Sequence, residues 1–174
     1  MQTSLATTPT SLARIHTSRE AFTLCPSGAN QLLVLLDPAL QPEPVLGIVL
    51  EVAEQWSPQI TLMYGGFLNR REGAARQTDQ DALVDLVCLV WQLRGSYPEV
   101  SMSRIVPRSA REVFREASDR QAGLIIISET VAEPFRHSVS GEPNGLRSPC
   151  PIVSVAISGI ERTDESPADH KGFR

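Results

Sequence analysis

The chain lacks a basic excess. Of its 174 residues, 16 are Lys or Arg and 20 are Asp or Glu, giving a formal net charge of -4. Nucleic-acid binding rests on clustered cations that displace counterions from phosphates, so this balance disfavours such a partner. Long hydrophobic runs are also missing. Charge or proline breaks every apolar stretch well short of the roughly 20 residues that span a bilayer, and no membrane partner is expected. Cysteine is scarce: Cys25, Cys88 and Cys150 lie in separate segments with no CxxC pair. That excludes the usual zinc and disulfide frameworks and points to the reducing cytoplasm. Cys88 sits in an apolar helical pattern and reads as a small core residue; Cys150, just before a strand, has a reactive thiol only as its minor reading, and neither supports catalysis. Of the three histidines, His16 and His170 fall near the ends and only His137 lies centrally. A catalytic reading would rest on His137, Asp37 and Ser138, and a lone His in a polar segment is usually an exposed side chain. No enzyme activity and no metal site are expected.

The ends differ from the middle. Residues 1–29 are rich in Ser and Thr and carry Arg14 and Arg19 with a single acid, Glu20. They lack the apolar centre of a secretory signal; their composition is similar to an organellar transit peptide, but a flexible extension is the expectation. Residues 158–174, with mixed charge, Pro167 and Gly172, read as a flexible tail. The remaining 30–157 suit one domain with one core.

That middle alternates between short apolar runs and amphipathic stretches. "LLVLL" at Leu32 to Leu36, closed by Asp37 and Pro38, is a strand buried on both faces. Val45, Leu46, Ile48, Val49, Val52, Ala53 and Trp56 then mark one face of a helix from about Pro44 to Gln55. "ITLMY" at Ile60 to Tyr64 is the second strand. A second helix, capped by Thr78 or Asp79, carries Leu83, Leu86, Val87, Val90 and Trp91 and ends near Arg94. A third strand lies within Val100 to Val106. Ser109 and Glu112 form an S-x-x-E capping box for a third helix with Ala110, Val113, Phe114 and Ala117 on one face. Its other face carries Arg108, Arg111 and Arg115 beside Glu112 and Glu116, the pattern of a solvated face rather than an anion site. Leu124 to Ser128 is the fourth strand and Pro151 to Ala156 the fifth, with the residues between them read as a loop. Crossover helices between strands require parallel pairing. The expected fold is therefore α/β: a five-stranded, parallel, doubly wound three-layer α/β/α sandwich.

Four stretches together resemble the universal stress protein family: "LLVLLDPA", "VPRSAREVFREASDRQAGLIIIS", "HSVS" and "SPCPIVSV". The resemblance spans about residues 31 to 157. It implies sheet order 3-2-1-4-5 and a homodimer paired through the last strand, Pro151 to Ala156. A further protein partner is consistent with it, as is a role in regulation or stress response. It also implies a candidate ligand, ATP or AMP, although some family members bind neither. By the same resemblance Asp37, with Ala39 after it, lies near adenine and ribose, and the backbone at Val106 faces the base. Ser128, His137, Ser138 and Val139 fall where the phosphate loop would be.

That loop is where the chain departs from the family. Glycines are needed there so that backbone amides can approach phosphate oxygens. No glycine occurs between Ser128 and Ser140, and Glu129 and Glu133 bring negative charge instead. Gly141, Pro143 and Gly145 stop any helix that would start at Ser138. The expected function is a universal stress protein-like domain without typical ATP phosphate binding. The alternatives are an ATP- or AMP-binding form using an atypical loop and, behind it, an α/β nucleotide hydrolase.

Overall fold

A computed structural model describes residues 12–65 and 79–156. The elements run β1 (Leu12–Ile15), α1 (Ser18–Leu24), β2 (Gln31–Leu36), α2 (Glu43–Trp56), β3 (Gln59–Tyr64), α3 (Asp79–Arg94), β4 (Val100–Met102), α4 (Ala110–Asp119), β5 (Leu124–Ser128), α5 (Glu129–Ser140) and β6 (Ile152–Val155). All strand pairs are parallel, and β2 lies between β3 and β5. That position is why "QLLVLL" is buried at every residue. Its side chains alternate between two cores. Leu32, Val34 and Leu36 meet Val45, Val49 and Val52 of α2, Leu86 and Val90 of α3 and Ala21 of α1. Leu33 and Leu35 meet Val113, Phe114 and Ala117 of α4 and Val131 and Phe135 of α5. The period-2 alternation of the strands thus sorts the chain into three layers.

The sheet has six strands in the order β1-β6-β5-β2-β3-β4, which corrects the five-stranded 3-2-1-4-5 expectation. The relative order of the five anticipated strands is kept; the difference is β1, added outside β6. Leu12 pairs with Ile152 and Ile15 with Val155, and the Ala156 amide donates to the Ile15 carbonyl at 2.9 Å. Ile15 and Ala21 are fully buried. The Glu20 carboxylate accepts from the His16 and Thr17 amides at the start of α1, and those bonds hold its pKa below the usual carboxylate value. Phe22 stacks edge-on against Trp56, centroids 5.1 Å apart. At Gly123, before β5, an added Cβ would lie 2.9 Å from the Ala29 Cβ, so the chain after α1 also packs closely on the sheet. Residues 12–29 therefore belong to the domain and are not a flexible extension. The expectations for 1–11 and 158–174, and for Thr78 as a cap, lie outside the described residues.

With β5 on one side and β1 on the other, β6 has no open edge, and a homodimer through Pro151 to Ala156 would have to displace β1.

The stretch between β5 and β6 holds the second correction. It is not a loop throughout: α5 begins at Glu129, directly after Ser128, and runs through Pro134 to Ser140. Gly141 is its C-cap. A third correction concerns thiols. Cys88 is exposed rather than in the core. Burial, with a smaller contribution from nearby Cys25, pushes the Cys150 thiol up to about 12, and burial also raises Cys25. At pH 8 a thiol of that pKa is about 10⁻⁴ thiolate, so Cys150 is a poor nucleophile. Maleimide labelling at pH 8 is expected to modify one thiol per native chain quickly, at Cys88. Peptide mapping that found Cys150 labelled first would contradict this.

Candidate functional site

In an open parallel sheet, ligands sit beyond the carboxyl ends of the strands, at the point where the strand order reverses. Here that point lies between β2 and β5. Asp37 ends β2, and its Oδ1 accepts from the Ala39 amide at 2.9 Å while the Leu40 amide reaches its carbonyl oxygen. Its carboxylate thus shapes the turn into α2, and Ala39 is exposed. Ser128 ends β5 beside it, since Leu35 pairs with Ile127. Ser128 is buried and its hydroxyl is 3.2 Å from that of Thr130. Asp37, Ala39 and Ser128 are therefore brought to neighbouring strand ends.

The other expected site residues go elsewhere. His137, in the last turn of α5, is exposed, with Nδ1 3.1 Å from the Glu133 carbonyl oxygen. The Ser138 hydroxyl accepts from the Ala110 amide at 2.7 Å, so it satisfies one of the unpaired amides at the start of α4. Val139 packs on the core between α4, α5 and the sheet. Ser138 thus links α5 to α4, while His137 bonds only within α5. No nucleophile and base stand together among them. Among the described residues there is also no group of three or more His, Cys, Asp or Glu side chains placed to hold a metal.

The β5 to α5 junction is not a loop: the helix starts directly after Ser128, with no side-chain cap on its first amides. Glu129 occupies the first position of the helix, where a carboxylate offsets the positive end of the dipole, and it is paired with Arg14 of β1 at 2.5 Å.

Val106 lies in a different concavity. Beyond β4, residues 103–109 cross to α4 and leave a cleft of about 330 Å³ lined by Asp79 and Leu83 of α3, Arg104, Ile105, Val106 and Arg108 of the connection, and Glu112 and Arg115 of α4. Leu83, Ile105 and Val106 give it an apolar part. Its charges divide into two sets. Arg108 is engaged, its Nη2 donating to Asp79 Oδ2 at 2.6 Å and its amide to Glu112 Oε2 at 2.6 Å. Arg104 and Arg115 have no carboxylate partner among the described residues. Two guanidinium groups beside an apolar surface can bind a planar or apolar group that carries an anion, because each offers several N–H donors in a fixed fork.

Arg104 and Arg115 were not among the residues expected from sequence. Arg104 was hidden because it lies in the Val100 to Val106 stretch read as containing the third strand, whereas β4 stops at Met102. Arg115 was absorbed into a solvated helix face. The usable signal was three arginines around the apolar pair Ile105 and Val106, just past a strand end.

No protein-family model matches the chain and no curated protein matches it in sequence. Among solved structures it is similar to the universal stress protein from Archaeoglobus fulgidus in complex with dAMP. The identity is 16%, with 71% of this chain and 95% of that chain covered and a TM-score of 0.48. A second structure of universal stress protein from Archaeoglobus fulgidus matches at 18% identity, with 71% and 91% covered and a TM-score of 0.49.

Proposed function

We propose that the chain is a cytoplasmic, non-enzymatic regulatory domain of universal stress protein type that responds to a small phosphate-bearing ligand, an adenine mononucleotide such as AMP. The phosphate sits in the cleft beyond β4 rather than after β5. The observation that carries this reading is the cleft itself: Arg104 and Arg115, without carboxylate partners among the described residues, stand beside Leu83, Ile105 and Val106. Its volume of about 330 Å³ is at the small end of ligand pockets, roughly 300–1,000 Å³, and suits a monophosphate better than a triphosphate. The sequence resemblance supplies the adenine, with the Val106 backbone facing the base.

A second reading has its own support. β5 passes straight into α5, and Glu129 fills the first helical position, which favours a domain that takes no nucleotide and acts through protein contacts. A thermal-shift titration with AMP, ATP, adenosine and inorganic phosphate separates the two. On the first reading AMP raises the melting temperature most and adenosine far less. The double variant Arg104→Ala/Arg115→Ala then loses affinity by about 100-fold or more, as expected for two charge-assisted contacts of about 1.5–3 kcal/mol each. If none of the four ligands acts at millimolar concentration, the second reading stands.

A further inference from the structure

The cleft beyond β4 holds more charge than the guanidinium groups of Arg104 and Arg115. Its remaining charged lining is Asp79, Arg108 and Glu112, and these three are tied to one another. Arg108 Nη2 donates to Asp79 Oδ2 at 2.6 Å, joining the first residue of α3 to the connection before α4. The Arg108 amide donates to Glu112 Oε2 at 2.6 Å. A third cation is therefore present, but one carboxylate already matches it, and a second carboxylate takes up the amide beside it.

We propose that Asp79 is the residue that limits the ligand to a single phosphate. This rests on the reading that a phosphate lies against Arg104 and Arg115. With those two groups engaged, a second or third phosphate in a space of about 330 Å³ would have to meet what is left of the lining. That is Glu112, Asp79 and a guanidinium that Asp79 neutralises. Each added phosphate brings more negative charge and finds carboxylates with no unmatched cation to receive it. A site discriminates by what it sets against the wrong ligand as much as by what it offers the right one. Asp79 shares the first turn of α3 with Asp81, where either carboxylate offsets the positive end of the helix dipole. Of the two, Asp79 lines the cleft and holds Arg108. The Arg108 and Asp79 side chains are 64% and 45% exposed, so water and salt screen the pair, and its effect is on selectivity more than on stability.

Calorimetric titration with AMP, ADP and ATP tests this, at fixed ionic strength and with a chelator present so that no divalent cation offsets the phosphate charge. The wild type is expected to bind AMP most tightly. Asp79→Asn keeps the size of the side chain and leaves the Arg108 charge unmatched. ADP and ATP should then each gain about fivefold or more relative to AMP, the scale set by one unit charge a few ångström away near water. Adding Arg108→Ala to Asp79→Asn should remove that gain, because the charge of the cleft returns to its wild-type value. Asp81→Asn removes a carboxylate from the same helical turn but outside the cleft, and should leave the affinity ratios as in the wild type. If AMP binds the wild type and the ratio of ATP to AMP affinity is unchanged in Asp79→Asn, the proposal is overturned while the cleft reading stands. ATP binding the wild type as tightly as AMP, or an equal gain in Asp81→Asn, overturns it too. If AMP does not bind the wild type, the cleft reading and the proposal fall together.

Discussion

Replacing Phe135 with Ala is expected to cost about 3–5 kcal/mol of stability, among the largest losses available to a single truncation in this chain. Phe135 is 1% exposed, sits on the inward side of α5 and meets Phe114 of α4 edge-on with centroids 5.6 Å apart. The helix depends on it more than its length suggests. Pro134 lacks the amide that would donate to the Thr130 carbonyl, and a proline inside a helix costs about 3 kcal/mol relative to Ala. Burial of Val131, Ala132 and Phe135 offsets this, at about 1.5–3 kcal/mol for each large apolar side chain. Removing the ring leaves a cavity between α4 and α5 and weakens the helix that carries Ser138 to the Ala110 amide. For a chain of this size the melting midpoint should fall by about 6–20 °C. A fall of under 2 °C by calorimetry would mean that α5 is not docked as described.

Ile15→Ala is expected to cost about 2–5 kcal/mol, and its effect has a place as well as a size. Ile15 is the buried residue by which β1 joins the core. Its carbonyl oxygen accepts from the Ala156 amide at the far end of β6. Loosening β1 should therefore speed hydrogen exchange at Ala156 and in β6 before it affects β2 or β5, since the outermost strands open at lower free energy than the centre. Exposure of the β6 edge should also increase self-association on heating. Exchange at Ala156 unchanged by the substitution would show that the segment from Leu12 to Leu24 adds nothing to the fold.

The two substitutions fall on the two elements that sequence reading misjudged. The central strands were legible because Leu32 to Leu36 and Leu124 to Ser128 are continuous apolar runs closed by a turn or a polar residue, a form that few other structures produce. Helix α4 was legible from its cap: Ser109 Oγ accepts from the Glu112 amide, as the S-x-x-E spacing implied. β1 and α1 were not. Four and seven residues contain too few positions to establish a period, and the Ser- and Thr-rich surroundings outweighed Ile15 and Ala21. In α5 the apolar positions 131, 132, 135 and 139 do share a helical face. The stretch was read as a loop from its place between two strands; Pro134 and the residue restricted before it disfavour a helix locally, and tertiary burial overrides that preference.

The candidate site was legible only in part. Asp37, Ala39 and Ser128 reach neighbouring strand ends, and Val106 lines a cleft beyond β4. His137, Ser138 and Val139 were assigned to a phosphate loop by position alone, and their positions belong to the end of a helix. Arg104 and Arg115 come together only through the turn of residues 103–109, which no periodic pattern records.

The ligand's phosphate is expected to lie against Arg104 and Arg115 and not after β5. A crystal structure with AMP decides between the two positions. The expected result is phosphate oxygens within hydrogen-bonding distance of both guanidinium groups, with the base against Val106. Phosphate at the amides following Ser128, or an empty cleft in crystals grown at saturating AMP, would contradict it.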